Sequence, residues 1–343
     1  MKIVFYDSKQ YDIDSFEKEN RDFNYKLKFL DFKLTIETVE LAKGYDAVCV
    51  FVNDIITEPI ITRLHELGIK IIALRCAGYN NIDFKSAFNK VHVVRVPSYS
   101  PYAVAEHAMA LIMTLNRKTH KAYNRTKESN FNIGGLMGFD LYKKNIGVIG
   151  TGKIGQKFID IANGFGMNVL AYDKFPNTNL KVTYCDLDTL YRESDIISLH
   201  CPLLKETEHI INRDSIKKMK DGVMIINTSR GGLIDAKDLI NGLKSRKIGS
   251  AGLDVYEEEA EYFFEDFSND MISDDKLARL ISFPNVLITS HQAFLTNEAL
   301  KNIANTTLNN IKNFKDKEYI DNEVCYQCKQ FGKCSKDEKK PCF

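Results

Sequence analysis

A chain of 343 residues has room for about two domains. Lys+Arg 47 against Asp+Glu 46 leaves a net charge of +1, which excludes the basic face of a nucleic-acid binder, and 44% hydrophobic with 27% charged residues excludes intrinsic disorder. No window offers the roughly 18 uncharged apolar residues of a membrane span, and Asp7 interrupts the N-terminus before a signal-peptide core could form, so a cytoplasmic protein without membrane contact is expected.

Apolar runs at 2–6, 46–51, 70–75 and 92–96 read as strands. Between them, Ile60, Ile61, Leu64 and Leu67 carry helical spacing. After Ser100 as N-cap and Pro101 in the first turn, Val104, Ala108, Leu111, Ile112 and Leu115 recur at three- and four-residue steps. With no breaker before Lys127, this predicts one long helix over 101–127, suited to connecting two domains. A second series follows, with strands at 146–149, 169–172, 195–199, 223–227, 250–253 and 286–289, a helix at 236–246 and a closing helix at 297–314. Strands alternating with helices imply parallel sheets built from βαβ units.

The run Ile146-Gly147-Val148-Ile149-Gly150-Thr151-Gly152-Lys153-Ile154-Gly155 sets a G-x-G-x-x-G loop directly after an apolar strand. Gly150 permits the tight turn, Gly152 lets a pyrophosphate approach the backbone, and Gly155 lets the next helix lie close to the strand. The helix N-terminus offers free N–H groups to the phosphates. Asp173, 18 residues after Gly155 and at the end of the next strand, is placed to accept hydrogen bonds from ribose hydroxyls and to repel a 2′-phosphate. NAD is therefore expected rather than NADP. A glycine turn beside a solvated aspartate is the bland alternative, and it does not account for strand, helix and acid falling together. Because the loop starts near residue 145, the residues before it must form a domain of their own.

Further segments carry a likeness. They are Leu74-Arg75-Cys76-Ala77-Gly78-Tyr79-Asn80-Asn81-Ile82-Asp83, Val96-Pro97-Ser98-Tyr99-Ser100-Pro101, Leu199-His200-Cys201-Pro202-Leu203, Asn227-Thr228-Ser229-Arg230-Gly231, Gly252-Leu253-Asp254-Val255-Tyr256 and Ser290-His291-Gln292-Ala293-Phe294-Leu295-Thr296. In this order, from Met1 to about Val324, the chain resembles the D-isomer-specific 2-hydroxyacid dehydrogenases. The stretch Phe263-Phe264-Glu265-Asp266-Phe267-Ser268-Asn269-Asp270 is similar to the bacterial fermentative D-lactate dehydrogenase branch. The resemblance implies two Rossmann/flavodoxin-like doubly wound parallel-sheet domains with a cleft between them. Residues 1–100 plus 297–324 would form the substrate-binding domain and 101–296 the NAD-binding domain, with 325–343 as a cysteine-rich tail.

Reducing a 2-keto acid requires a cation to grip the carboxylate and an acid to protonate the developing alkoxide. Arg230 and His291 each follow an apolar strand, at the sheet edge where open α/β folds bind ligands. A guanidinium can take a carboxylate bidentately, and an imidazole exchanges a proton near neutral pH. The resemblance marks Arg230 as the carboxylate and cofactor-side cation, His291 as acid/base, and Glu259 as the support of His291. Glu259 stands in the run Glu257-Glu258-Glu259, ordinarily a solvated face, and only its spacing from Asp254 selects it. His107 reads as a packing histidine and His200 as a structural strand-end residue. The resemblance further implies loop amides at Lys153 and Ile154, cofactor contacts at Cys201, Thr207, Thr228, Ser229 and Asp254, and substrate contacts at Ala77, Gly78 and Tyr99.

Cys49, Cys76, Cys185 and Cys201 read as small buried apolar residues. The tail instead carries Cys325-x-x-Cys328 followed by Cys334 and Cys342, four thiolates that can hold a metal such as zinc or ligate an iron–sulfur cluster, or equally form a mobile or redox-active thiol tail, since the second pair lacks C-x-x-C spacing. The expected activity is reversible reduction of pyruvate to D-lactate by NADH, in a homodimer or homotetramer. The alternatives are another D-2-hydroxyacid dehydrogenase acting on a bulkier 2-keto acid or glyoxylate, and a non-catalytic NAD-sensing protein of the corepressor type.

Overall fold

The computed structural model describes residues 1–316 and 322–327. These divide into two compact units, Met1–Ser100 with the segment from Leu295 onward, and Pro101–Phe294.

The first unit contains β1 (Lys2–Phe5), α1 (Gln10–Glu19), β2 (Lys26–Phe29), β3 (Ala47–Val50), α2 (Glu58–Glu66), β4 (Ile71–Leu74), α3 (Phe84–Ala87) and β5 (His92–Val94). Its five strands form an all-parallel sheet in the order β2-β1-β3-β4-β5. Every residue of β3 and β4 is buried, as expected of central parallel strands covered on both faces. At the sheet edge, β2 alternates exposed lysines with half-buried Leu27 and Phe29, a four-residue pattern too short and polar to register as a strand in the sequence. Arg75, directly after β4, is fully buried and pairs with Asp12 of α1 at 3.3 Å. Removing one partner of such a pair would strand a buried charge.

The second unit contains α4 (Pro101–Arg117), α5 (Thr119–Lys127), β6 (Asn145–Ile149), α6 (Lys153–Gly164), β7 (Asn168–Tyr172), β8 (Thr183–Tyr184), α7 (Leu187–Glu193), β9 (Ile196–Leu199), α8 (Arg213–Lys218), β10 (Val223–Asn227), α9 (Ala236–Lys244), β11 (Ile248–Leu253), α10 (Asp275–Ser282) and β12 (Val286–Ile288). Seven parallel strands lie in the order β12-β11-β10-β9-β6-β7-β8. The order reverses at β6, so the loop after β6 opens at the point where such sheets hold ligands. One core packs α4 and α6 on the sheet through Ala108, Leu111, Phe158 and Ile226, and a second packs α8, α9 and α10 on the other face through Ile216, Leu239 and Leu280.

The helix expected over 101–127 is in fact two. Lys118 adopts a left-handed φ of +50° between α4 and α5. Its Nζ donates to the carbonyls of Gly135 and Met137, at 3.1 and 2.8 Å, while Asn116 exchanges two hydrogen bonds with the Phe139 backbone. These loop partners turn the chain where nothing in the helical periodicity would.

The closing helix, α11 (Asn297–Lys315), packs on α1 of the first unit. There Ser15 Oγ donates to the Leu300 carbonyl at 3.0 Å, and Asn305 donates to Glu19 at 2.9 Å. Beyond it, Asn322–Val324 runs antiparallel to β5, with His92 against Glu323 at 2.6 Å.

Candidate active site

Local geometry explains each glycine of the loop after β6. Gly150 has φ +98°, and a Cβ there would lie 2.6 Å from the backbone of His200 and Cys201. A Cβ on Gly155 would lie 2.1 Å from the Gly150 carbonyl, so only glycine lets α6 start this close to the strand. Nothing stands within 4 Å of a Cβ on Gly152, which leaves the side of the loop where a pyrophosphate would approach open. Lys153 and Ile154 supply the first amides of α6. Asp173, past the end of β7, accepts from the Thr151 amide at 2.6 Å, the Thr151 hydroxyl at 3.0 Å and the Phe175 amide at 2.8 Å.

A cavity of about 470 Å³ opens beside this loop. Gly150, Gly152, Asp173, Cys201 and Thr207 line it, with Phe175 and Ile210. At its rim Lys174 is held by Glu206 through bonds of 2.9 and 3.0 Å. Burial pushes the Cys201 thiol up to about 11, so this wall residue is an uncharged, apolar contact at neutral pH. The Thr207 hydroxyl pins the wall by donating to the Pro202 carbonyl at 2.7 Å. His200 also lines it, half-buried on the ring of Phe158 and 2.8 Å from Ser198 Oγ.

At the end of β10 the chain turns through Thr228, Ser229 and Arg230. Thr228 is 6% exposed, and its hydroxyl is a buried polar atom without a hydrogen-bond partner. Such an atom, at the same end of the sheet as the open glycine loop, fits a dinucleotide as the missing partner. Ser229 Oγ bonds the Leu199 carbonyl at 2.9 Å, tying the turn to β9. Arg230 is half-buried, and its Nη1 donates to the Ser229 carbonyl at 2.6 Å.

His291 lies past β12 with a left-handed φ of +48°, a conformation that costs a non-glycine residue energy and must be held from outside. Asp254, fully buried at the end of β11, holds it. The Asp254 carbonyl accepts the His291 amide at 2.8 Å. Its carboxylate accepts the amides of Gln292 and Ala293 and the hydroxyl of Thr289 at 2.6–2.9 Å. His107 on α4 reaches Thr289 Oγ1 at 3.1 Å and Asp254 Oδ1 at 3.3 Å. This polar anchorage is more than packing, and the helical pattern around His107 gave no sign of it.

Of the three glutamates after Tyr256, Glu257 and Glu258 are exposed and Glu259 is half-buried, yet each has its own partner. Glu257 meets His209 at 2.6 Å, Glu258 meets Lys276 at 3.0 Å, and Glu259 meets His291 Nδ1 at 2.7 Å. The other oxygen of Glu259 accepts the Tyr256 amide at 2.9 Å, which fixes the carboxylate against the ring. With Nδ1 committed to Glu259, Nε2 is the nitrogen that can exchange a proton with a ligand.

Ala77, Gly78 and Tyr99 belong to the first unit. The Ala77 carbonyl accepts from Arg95 at 2.8 Å, the Gly78 carbonyl accepts the Cys76 thiol at 3.3 Å, and the Tyr99 carbonyl accepts from Asn302 at 2.6 Å. Cys49, Cys76 and Cys201 are buried and Cys185 is half-buried, all as free thiols. Of the tail cysteines, Cys325 is buried, whereas Cys328, Cys334 and Cys342 lie outside the described residues. Among the described residues no group of three or more His, Cys, Asp and Glu side chains could hold a metal ion, and no helix is long and apolar enough to cross a membrane.

Comparison with known proteins finds relatives along most of the chain. Residues 109–293 match the profile of the D-isomer specific 2-hydroxyacid dehydrogenase family, NAD binding domain. A 2-hydroxyacid dehydrogenase homolog of Haemophilus influenzae is 53% identical over 94% of this chain and 99% of its own length. D-lactate dehydrogenase of Escherichia coli is 52% identical over 94% of this chain and 100% of its own. The apo-structure of that enzyme superposes with a TM-score of 0.87 over the same shares. The chain belongs to the D-isomer-specific 2-hydroxyacid dehydrogenase family.

Proposed function

We propose that this protein is an NAD-dependent D-lactate dehydrogenase that interconverts pyruvate and D-lactate, in the cytoplasm. The observation that carries the reading is the Glu259–His291 pair at 2.7 Å in the unit that also presents Arg230 and the glycine loop. The 52% identity to D-lactate dehydrogenase of Escherichia coli supports lactate over other 2-hydroxy acids.

NAD(H), when bound, supplies or accepts the hydride. Gly152 and the first amides of α6 would take its pyrophosphate, Asp173 its ribose hydroxyls, Cys201, Thr207, Thr228 and Ser229 its flanks. Asp254 acts through the His291 loop that it anchors. Arg230 grips the substrate carboxylate through its fork. His291 Nε2 gives its proton to the ketone oxygen in reduction and recovers it from the hydroxyl in oxidation. Glu259 holds the opposite ring nitrogen as donor throughout. Ala77, Gly78 and Tyr99 are proposed as the first unit's contribution to substrate binding.

A homodimer or homotetramer is part of the proposal. Tyr123, Phe131, Ile133, Met137 and Tyr142 expose large apolar side chains along 123–142, and a second copy of the same surface would cover them. We propose also that Cys325, Cys328, Cys334 and Cys342 bind zinc or an iron–sulfur cluster, on their spacing alone. Metal analysis of the full chain should give about one site per chain, lost when the last three cysteines become serine; a stoichiometry near zero overturns it.

The test of the activity is NADH oxidation with pyruvate, phenylpyruvate, hydroxypyruvate and 2-oxoisocaproate, followed by chiral analysis. Highest kcat/KM with pyruvate and a D product are expected. Preference for a bulky keto acid refutes the lactate assignment, and NADH binding without turnover of any keto acid refutes the enzyme.

A further inference from the structure

His209 does no chemistry in the reading above, yet it joins two parts of the site. It lies within the segment 201–210, between Thr207 and Ile210, which with Cys201 wall the cofactor cavity. Its backbone is left-handed, φ +49°, and its amide donates to the Gly232 carbonyl at 2.9 Å. From there Nε2 meets Glu257 at 2.6 Å, across 48 residues of chain. Both side chains are about two-thirds covered.

The other side of Glu257 is just as constrained. A Cβ on Gly231, next to Arg230, would lie 2.0 Å from the Tyr256 carbonyl carbon and 2.3 Å from the Glu257 nitrogen. The Arg230 turn therefore rests directly on the Tyr256–Glu257 peptide. On the other side of its Cα, Tyr256 supplies the amide that orients Glu259. A shift of Tyr256 would disturb the Arg230 turn by contact and Glu259 through its hydrogen bond.

We infer that His209 is a positioning residue, which through Glu257 locks the wall of the cofactor cavity to the turn that sets Glu259 and Arg230. The inference rests on the dehydrogenase reading above. An ordinary surface ion pair contributes almost nothing. This one is short, largely covered and fixed at both backbones, so it can transmit position.

The pair is also sensitive to pH. The groups facing His209 are Glu257 from the catalytic turn, Asp235 from the N-cap of α9 at 3.9 Å, and Glu208 from its own segment. The hydrogen bond to Glu257 holds the imidazole above its usual range against partial burial, and the other two acids add to it. Loss of the proton at alkaline pH leaves a neutral, weaker link.

The experiment compares the full-length H209A, H209Q and E257Q proteins and the H209A/E257Q double variant with the unmodified chain. Readouts are the NADH Kd by fluorescence from pH 6 to 9, and kcat with pyruvate. H209A should raise Kd and lower kcat by about fivefold each at pH 7, within the range of coupled side-chain pairs. E257Q should match it, and the double variant should be no worse than either. Glutamine at 209 keeps an N–H for the carboxylate, so H209Q should restore both constants to within about twofold. It should also remove the alkaline weakening of NADH binding, which keeps the test open even if H209A fails to fold. Additive effects, or variants that change only thermal stability, overturn the inference. An unmodified chain that does not bind NADH refutes the dehydrogenase reading itself, and this inference with it.

Discussion

Arg230 already has one of its five N–H groups engaged with the Ser229 carbonyl, which aims the guanidinium and leaves the rest of the fork for a ligand. Lysine could supply the charge there but neither the anchor nor the planar pair of donors. R230K should lower kcat/KM for pyruvate by at least about 100-fold while changing the NADH Kd far less. Equal losses in both would assign Arg230 to the cofactor instead. Glu259 acts through His291, to which it is bonded at 2.7 Å. Glutamine at 259 can still accept from Nδ1 but brings no charge to face the imidazolium. E259Q should therefore reduce kcat for pyruvate by about tenfold to 100-fold. If the two residues work as one unit, H291N/E259Q will be about as slow as H291N alone. Steady-state rates of the three proteins decide it, and multiplied losses would separate the two residues.

Between β6 and α6 the constraint belongs to the joint rather than to either element. G155A adds one methyl 2.1 Å from the Gly150 carbonyl, so α6 must retreat or the loop must open. The expected result is an NADH Kd raised by about tenfold or more, with a stability loss of about 1–3 kcal/mol from overpacking; fluorescence titration and urea melts measure each. Binding that survives the methyl unchanged would mean that the helix does not seat the pyrophosphate. This joint was legible in the sequence because glycine spacing, strand and helix are neighbours along the chain. The break after Arg117 was not, because the partners of Asn116 and Lys118 lie 17 to 23 residues away in a loop. The edge strand β2 escaped notice for another reason: KLKF buries too little to stand out from a polar loop. The site divides in the same way. Strand-end residues such as Arg230 and His291 follow visible apolar runs. Glu259 could be told from its two neighbours only by spacing, and what separates the three is a different partner for each, supplied by residues 18 to 48 positions away. His107 and His209 show no local pattern that marks them, since each acts through a contact distant in sequence.

At the scale of the whole molecule, two histidines make stability respond to pH with opposite signs. His200 is half-buried, packed 4.6 Å from Phe158 and bonded to Ser198, and desolvation pushes its imidazole down to about 3. In the unfolded chain it would titrate near 6.5. Between those values the unfolded chain takes up a proton that the folded one refuses, so the unfolded state binds more protons and stability rises with pH. The contribution is complete above about 6.5 and is lost as pH falls, by roughly 1 kcal/mol between pH 6.5 and 5.5. His209 works the other way: Glu257 keeps it protonated in the fold, so its stabilisation is present at low pH and fades as pH rises through its raised value. It is over a third exposed, so solvent screening makes it the smaller of the two. His200 should therefore contribute acid weakening below pH 6.5, offset in part by Asp54, whose carboxyl burial pushes up to about 6 so that the fold gains a proton there as pH falls. Urea unfolding of the unmodified chain and of H200Q at pH 7.5, 6.5 and 5.5 tests this, since glutamine can bond Ser198 without titrating. Between pH 6.5 and 5.5 the denaturation midpoint of the unmodified protein should drop relative to that of H200Q, the difference being the His200 share. Parallel curves would show that the fold admits the proton at His200, and the acid sensitivity would then have to reside in the carboxylate pairs.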